Sequence, residues 1–334
     1  MAWDVRKLRE KIWRLELKLN SVTDPKEREA LSLELINLKT MVNYKVDDTI
    51  YEDLVYKPEI FDLNHFANQA QVIKETGADY SFSMYPVMHL HHVPVHIVRQ
   101  KILTSKEYQK TLTDFLAYFD QNLLDLYLRF KEENRIEINK RPFDTRSCRG
   151  VCHPSLSDAS SYISSRDDCR TKYITNIPHE LAHAFQFEGE SDIVVIQKML
   201  YSLFAEAYPI FVEYAFLDYL KSTKYSRQAL ALEGETINNY ICLLDYSLTS
   251  FKDMATNGLI SQNQTSIISN MVAMYWYSLY RKDKSLAKDE VDDFNKRFGY
   301  VYESDFLEIY DPEILSEGAK ETINNYMKDY RQSR

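Results

Sequence analysis

The segment His-Glu-Leu-Ala-His at residues 179–183 carries two imidazoles four positions apart, with a carboxylate beside the first. Four residues of an α-helix turn through about 400°, so His179 and His183 project from nearly the same face and can share one metal ion. Glu180 lies about 100° around from His179, within reach of a water molecule at an open coordination position. This spacing predicts a single zinc ion and a hydrolytic reaction with Glu180 as general base. The alternative interpretation is an ordinary helix with two solvated histidines.

The residues around the motif predict a helix that would position it. Pro178 suits a first-turn position, Asn176 could cap the helix, and Gly189 could stop it. We therefore expect a helix over about 178–188.

A catalytic zinc needs a third protein ligand, and the chain has no histidine after His183. Gln186 and Gly189 exclude the extended motif with a third histidine. An acidic ligand remains, and the candidates are Glu188, Glu190, Asp192, Glu206 and Glu213.

Glu206 is the preferred third ligand. The earlier acids follow the motif so closely that the chain would have to turn straight back, whereas Glu206 stands in an apolar stretch where an unpartnered charge is costly. Glu213 lies two helical turns further on and on the same face, so it is the ligand if the register differs. Otherwise we expect Glu213 to hydrogen-bond a ligand histidine and hold its tautomer.

The composition predicts a mainly α protein. Only 7 Gly and 9 Pro occur among 334 residues, and 45% of the residues are hydrophobic. We expect a helical hairpin at residues 1–45 and a catalytic domain at residues 46–334, with a short strand region at about 141–173. Residues 104–134 carry one apolar face, which predicts a core helix.

Charge and hydropathy disfavour two classes of partner. The net charge is −9 and the two signs are interspersed, so no basic surface for nucleic acid is expected. No stretch approaches about 20 uncharged apolar residues, and the N-terminus lacks the apolar core of a secretory signal, so we expect no membrane partner and a cytoplasmic protein. The sequence does not indicate an oligomeric state.

A second stretch resembles a known family. FAEAYPIFVEYAFLDYL at residues 204–220, following HELAHAF, resembles the second signature helix of the oligoendopeptidase F and thimet oligopeptidase family of zinc peptidases. Glu206 occupies the place of that family's third zinc ligand. The resemblance implies a gluzincin-type site with one zinc ion, short unfolded peptides as substrates, and an elongated helical fold in which a small β element edges a deep cleft.

Other segments extend the resemblance over roughly residues 145–330. TRSCRGVC at 145–152 is similar to the family's edge strand, which implies peptide contacts from the backbone of Gly150, Val151 and Cys152. MYWYSLY at 274–280 is similar to its tyrosine cluster, and FLEIYDPEILSEGAKETINNYM at 306–327 to its C-terminal helix region. The tyrosine cluster implies an oxyanion donor at Tyr275 or Tyr277 and a substrate contact at Tyr280.

The chain also departs from the family pattern. Ser269 and Asn270 stand where the family has a histidine before the tyrosines, Pro209 replaces a serine, and the chain is shorter than typical members. We therefore expect a zinc metallopeptidase, with a catalytically weakened peptide-binding protein of the same fold as the alternative. A purely structural helical protein, which would bind no zinc, is a third hypothesis.

Overall fold

The structure is a computed structural model that describes residues 63–79, 103–139, 150–155, 160–166, 174–190, 204–257, 262–298 and 310–333, together with scattered positions between 11 and 35. Within these residues the chain is mainly helical with one small sheet, as predicted. The helices are α1 (Leu63–Asp79), α2 (Ser105–Phe119), α3 (Gln121–Glu132), α4 (Asn176–Phe187), α5 (Ala207–Lys221), α6 (Ser226–Asn257), α7 (Gln262–Lys282), α8 (Lys284–Arg297) and α9 (Pro312–Gln332).

The sheet has three strands, β1 (Ile136–Asn139), β2 (Gly150–Ser155) and β3 (Ser160–Arg166), in the order β1-β3-β2. β2 pairs antiparallel with β3, as a short strand pair in this region would, and Cys152 is opposite Ile163. β1 pairs parallel with β3, with Ile136 also opposite Ile163, and it precedes the predicted strand region. α4 packs against β2 and β3, so the sheet lies beside the helix that carries the motif.

The helix predicted over 104–134 is two helices, and Asp120 is the reason. Its backbone is extended, with φ −157° and ψ 121°, and its carboxylate accepts hydrogen bonds from the amides of Asn122 and Leu123. An aspartate that caps the free amides of a following helix stabilises a new N-terminus. The apolar stripe continues through the break, because Phe115 and Leu123 are both fully buried.

α5 lies in the middle of the core. It packs against α4, α6 and α7, and most of its side chains are buried. Phe211 packs edge-on against Trp276 of α7, and Tyr214 stacks on Tyr277 of the same helix. Because each fully buried side chain of this kind contributes roughly 1.5–3 kcal/mol, the position of α5 relative to α4 and α7 is strongly determined.

Most of the predicted N-terminal hairpin lies outside the described residues. Ion pairs join its two helical segments, Lys11 with Glu34 at 2.7 Å and Lys18 with Glu27 at 3.2 Å. Asp24 accepts a hydrogen bond from a backbone amide at the start of the second segment. The boundary between residues 45 and 46 stays a prediction.

A membrane span would require a long apolar helix. No helix among the described residues has both the length and the apolar character to cross a bilayer.

Candidate metal centre

α4 carries the motif and begins slightly earlier than predicted. It runs from Asn176 to Phe187, so Asn176 is inside the first turn, and the N-cap is Thr175, whose side chain makes no capping hydrogen bond. The helix ends as predicted, because Gly189 adopts a φ of +79°, which a glycine adopts without strain. His179 and His183 therefore lie on one face of a regular helix.

The third residue comes from the start of α5. Glu206 is the N-cap residue of this helix, and its backbone amide donates a hydrogen bond to the hydroxyl of Ser269 on α7. Ser269 is fully buried. The contact attaches the N-terminal end of α5 to α7 at the residue that faces the histidines, so Ser269 helps to position Glu206.

Three potential ligand atoms converge at this point. Oε2 of Glu206 lies 3.2 Å from Nε2 of His179 and 3.2 Å from Nε2 of His183. One ligand atom from each of the three residues lies within 4.8 Å of the others, so the group could hold a metal ion. We call His179, His183 and Glu206 the metal group.

The separations in the metal group fit a tetrahedral ion. Zinc bonds to imidazole nitrogen and carboxylate oxygen at about 2.0–2.2 Å, which places neighbouring ligand atoms about 3.3 Å apart in a tetrahedron. The two nitrogen–oxygen distances of 3.2 Å are close to this value. Two imidazole nitrogens and one carboxylate oxygen are also the donor types of a catalytic zinc site with an open position.

Glu213 orients one of the histidines. Its Oε1 lies 2.6 Å from Nδ1 of His179, on the opposite side of the ring from Glu206. An Nδ1–H that donates to a carboxylate leaves Nε2 with a free lone pair for a metal. The structure thus places Glu213 at Nδ1 of His179, and it places Glu206 at Nε2 of the same ring.

The metal group forms an electronegative site that favours a cation. Removal from water opposes charge on His179, but hydrogen bonds to Glu206 and Glu213 outweigh it and raise the pKa of His179 well above its ordinary value. Removal from water also favours the neutral carboxyl of Glu206, but His183 and His179 outweigh it and hold the pKa of Glu206 well below its ordinary value. The carboxylates of Glu206 and Glu213 therefore stabilise a positive charge here, which is either that of a protonated His179 or that of a bound metal cation.

The side chain of Glu180 extends from α4 to strand β2. It is 7% exposed, and a Cβ on Gly150 would be only 2.7 Å from its Oε1. Burial raises the pKa of Glu180; charges on His179 and His183 oppose the rise, and so does a hydrogen bond from the backbone of Cys152. A buried carboxylate with a raised pKa beside a cation site suits a general base.

The predicted peptide-binding residues are consecutive in β2, where Gly150 and the backbone of Cys152 contact Glu180. Gly150, Val151 and Cys152 pair with residues 165, 164 and 163 of β3, respectively. Within the described sheet, the other edge of β2 has no strand partner. The thiol of Cys152 is buried, and burial raises its pKa, so it stays neutral.

Comparisons with known proteins bear on the fold. The chain matches no protein-family model, and no curated protein matches its sequence. Among solved structures it is similar to a protein described as a "putative oligoendopeptidase F" from Bacillus anthracis str. Ames, with a TM-score of 0.56 and 10% sequence identity. The match covers 91% of this chain and 63% of that chain.

This chain shares the overall fold of that Bacillus anthracis protein. It spans about 63% of the length of the Bacillus anthracis protein. At 10% identity the similarity shows the fold alone, and it agrees with the mainly helical architecture described above.

Tyr277 lies in a separate cluster of charged side chains, of which Glu233 is fully buried and Asp218 and Lys221 are partly buried. Its hydroxyl is 2.9 Å from Glu233 and 3.2 Å from Asp218, and Lys221 pairs with Glu233 at 2.6 Å. Asp218 comes 12 residues after Glu206, which corresponds to about 18 Å along α5. The structure therefore does not bring the hydroxyl of Tyr277 to the metal group, and its contacts cross-link α5, α6 and α7.

The other two tyrosines also have partners outside the metal group. The hydroxyl of Tyr275 donates to Glu290 of α8 at 3.4 Å, and burial with the nearby charge of Glu290 raises the pKa of Tyr275 to about 12. Tyr275 also borders an open cavity of about 880 Å³ between α1, α7 and α9. Tyr280 is 6% exposed and packs edge-on against Phe211.

One of the rejected ligand candidates has a clear alternative role. The carboxylate of Glu188 is bound by Arg135, with Nη2 of Arg135 2.7 Å from its Oε1. Arg135 and Glu188 are 53 positions apart, so no local pattern could have indicated this pair. Asp192, another candidate, lies outside the described residues.

Proposed function

We propose that this protein is a zinc-dependent metallopeptidase that hydrolyses peptide bonds of short, unfolded peptides. The proposal is supported above all by Oε2 of Glu206, which lies 3.2 Å from Nε2 of both motif histidines. The shared fold with the Bacillus anthracis protein supports the same activity class, since the description of that protein names an oligoendopeptidase.

His179, His183 and Glu206 would hold the zinc ion. Zinc, when bound, would act as a Lewis acid and lower the pKa of a water ligand toward about 7. Glu213 keeps the proton of His179 on Nδ1, so that Nε2 is available as a ligand. The metal group therefore needs one metal ion and no further protein ligand.

Glu180 performs the proton transfers in this proposal. Its raised pKa brings it closer to neutrality, where a carboxylate can accept a proton from water and pass it to the leaving amine. The backbone amide of Cys152 and the absence of a side chain at Gly150 define the position of the carboxylate. The edge of β2 that has no strand partner among the described residues would hold an extended peptide beside it by backbone pairing.

Zinc analysis combined with a fluorogenic peptide assay tests the proposal. We expect wild type to bind about one zinc per chain and to lose cleavage when a chelator removes it. Glu180→Gln should keep zinc and lose cleavage by about 100-fold or more, whereas Glu206→Gln should lose zinc affinity. Glu317→Gln, on the exposed face of α9, is the control for loss of a carboxylate.

A peptide-binding protein without efficient turnover is the second candidate. The observation that favours it is that the hydroxyls of Tyr275 and Tyr277 contact Glu290 and Glu233, which leaves the oxyanion donor unassigned. Zinc and peptide binding without cleavage that depends on Glu180 would support this candidate. Absence of both stoichiometric zinc and peptide binding would refute both candidates and favour a structural protein.

A further inference from the structure

The carboxylate of Glu188, at the C-terminal end of α4, receives hydrogen bonds from several donors. Arg135 binds it with both terminal nitrogens, at 3.1 and 2.7 Å, and Arg129 adds a contact at 3.1 Å. The backbone amide of Ser161 in β3 donates to it at 2.9 Å. A two-point pair between a guanidinium and a carboxylate is strong and directional, and Arg135 is only 8% exposed.

Arg135 extends this contact over strand β3. Its Nη1 also donates to the carbonyl of Ser161 at 3.0 Å, and its own backbone carbonyl accepts from the amide of Ile163 at 2.9 Å. The guanidinium lies 3.8 Å from the ring centre of Phe130, which limits its rotation. Arg135 and Glu188 together therefore occupy both backbone hydrogen-bonding groups of Ser161.

α4 consequently contacts the sheet at two points. Near its N-terminal end, Glu180 contacts β2 at Gly150 and Cys152. Glu188 lies eight residues later, about 12 Å along the helix, and contacts β3 at Ser161. Two separated contacts determine the tilt of the sheet against the helix, whereas a single contact would leave it free to pivot.

The metal group does not depend on either contact. Its ligands come from α4 and from the start of α5, which is attached through Ser269 to α7. A change in the tilt of the sheet would move β2 relative to Glu180 and leave the distances within the metal group unchanged.

We infer that Arg135 and Glu188 form a positioning pair that holds strand β2 against Glu180, and that they control turnover separately from metal binding. The kinetic part of this inference rests on the proposed function. The structural part concerns the sheet and α4 alone, so it can be measured whether or not the protein is a peptidase.

Glu188→Gln is the variant that tests the pair, and Glu133→Gln is its matched control. Glu133 also pairs with Arg135, at 2.7 Å through Nε, but its side chain is 48% exposed and contacts the guanidinium away from Ser161. Both changes remove one carboxylate charge from the same arginine. Only Glu188→Gln removes the charge that faces the sheet.

Three measurements give the expected pattern. In Glu188→Gln, hydrogen–deuterium exchange of the amides of residues 150–155 and 160–166 should become at least about tenfold faster, because the sheet loses an anchor. Zinc affinity, measured by competition with a chelator, should stay within about twofold of wild type. Turnover of a fluorogenic peptide should fall about tenfold in kcat, and Glu133→Gln should resemble wild type in all three.

Several results would overturn the inference. These are unchanged exchange in β2 and β3, a loss of zinc affinity in parallel with kcat, or equal effects from Glu133→Gln. If Glu188→Gln does not fold, because the buried arginine then keeps, among the described residues, only its ion pair with half-exposed Glu133, Arg135→Met/Glu188→Gln removes both charges and is measured in its place. Failure of the proposed function would appear in wild type as absent zinc or cleavage, whereas failure of this inference appears only in the comparison of variants.

Discussion

Replacement of Gly150 by alanine should move the general base of the proposed peptidase without changing the metal group. An ideal Cβ at this position would lie 2.7 Å from Oε1, 2.9 Å from Cγ and 3.2 Å from Cδ of Glu180. Ordinary contacts begin at about 3.4 Å, so Oε1 must retreat by at least about 0.7 Å. Neither the metal group nor Glu213 is among the nearest atoms.

The expected loss of activity follows from this displacement. A misplacement of about 1 Å at a reacting group can cost about 100-fold in rate, equivalent to about 2.7 kcal/mol of barrier. We therefore expect Gly150→Ala to lower kcat by 10- to 100-fold in a fluorogenic peptide assay. Zinc stoichiometry and affinity should equal those of wild type, because the three atoms nearest to the new methyl group all belong to Glu180.

Gly189→Ala is the matched control for a glycine at the end of the same helix. A Cβ at Gly189 would meet nothing within 4 Å, but its φ of +79° strains any other residue. We expect this variant to lose about 1 kcal/mol of stability and to keep kcat. A fall in kcat in Gly189→Ala as large as that in Gly150→Ala would mean that general destabilisation explains both.

A stability cycle tests the contact without any activity. Gly150→Ala should lower the melting temperature of wild type, but it should cost much less in the Glu180→Ala background, where the obstructing carboxylate is absent. An equal cost in the two backgrounds would refute the reasoning, because Glu180 would then not be the group that the methyl displaces.

Other substitutions test the contacts around the site. Gly318→Ala places a Cβ 2.7 Å from the Cα of Tyr275, so α7 and α9 must separate. Thermal unfolding should show a loss of stability of about 1–3 kcal/mol, and an unchanged melting temperature would contradict the close packing. Glu213→Gln removes the charged partner at Nδ1 of His179 and should weaken zinc binding by about 10- to 100-fold in a chelator competition. Unaltered affinity would argue against the orienting role. Tyr277→Phe removes the hydroxyl that donates to Oε1 of buried Glu233, which then keeps, within the described part of the chain, only its pair with Lys221, and it should cost about 1–3 kcal/mol of stability. We expect kcat to stay within twofold of wild type, and a selective loss of kcat would instead support an oxyanion role.

The local part of the site was predictable from the sequence. His179 and His183 face the same way because helical periodicity alone requires it, and Gly189 ends the helix where its sequence position suggested. Glu206 was predictable by a different argument, since a carboxylate in an apolar stretch needs a cationic partner. The structure brings that carboxylate to the histidines.

Errors arose where a local signal competed with a stronger pattern. The apolar stripe of residues 104–134 suggested one helix, but Asp120 caps a second helix within it. Strand β1 was missed because four residues, Ile136–Asn139, are too short to show a periodic pattern. The tyrosine segment was identified by resemblance, which does not reveal where the hydroxyl of Tyr277 points.

The sequence by itself determined the helical class and the pair of histidines on one helix face, because these depend on residue type and on spacing within one helix; it also singled out Glu206, because a carboxylate in an apolar stretch needs a partner. Only the tertiary structure decided which groups surround Glu180. The contact with Gly150 and the pair between Arg135 and Glu188 join residues 30 or more positions apart, and their distances depend on how α4 packs against the sheet. Packing of distant segments is a property of the whole core, so no short stretch of sequence encodes it.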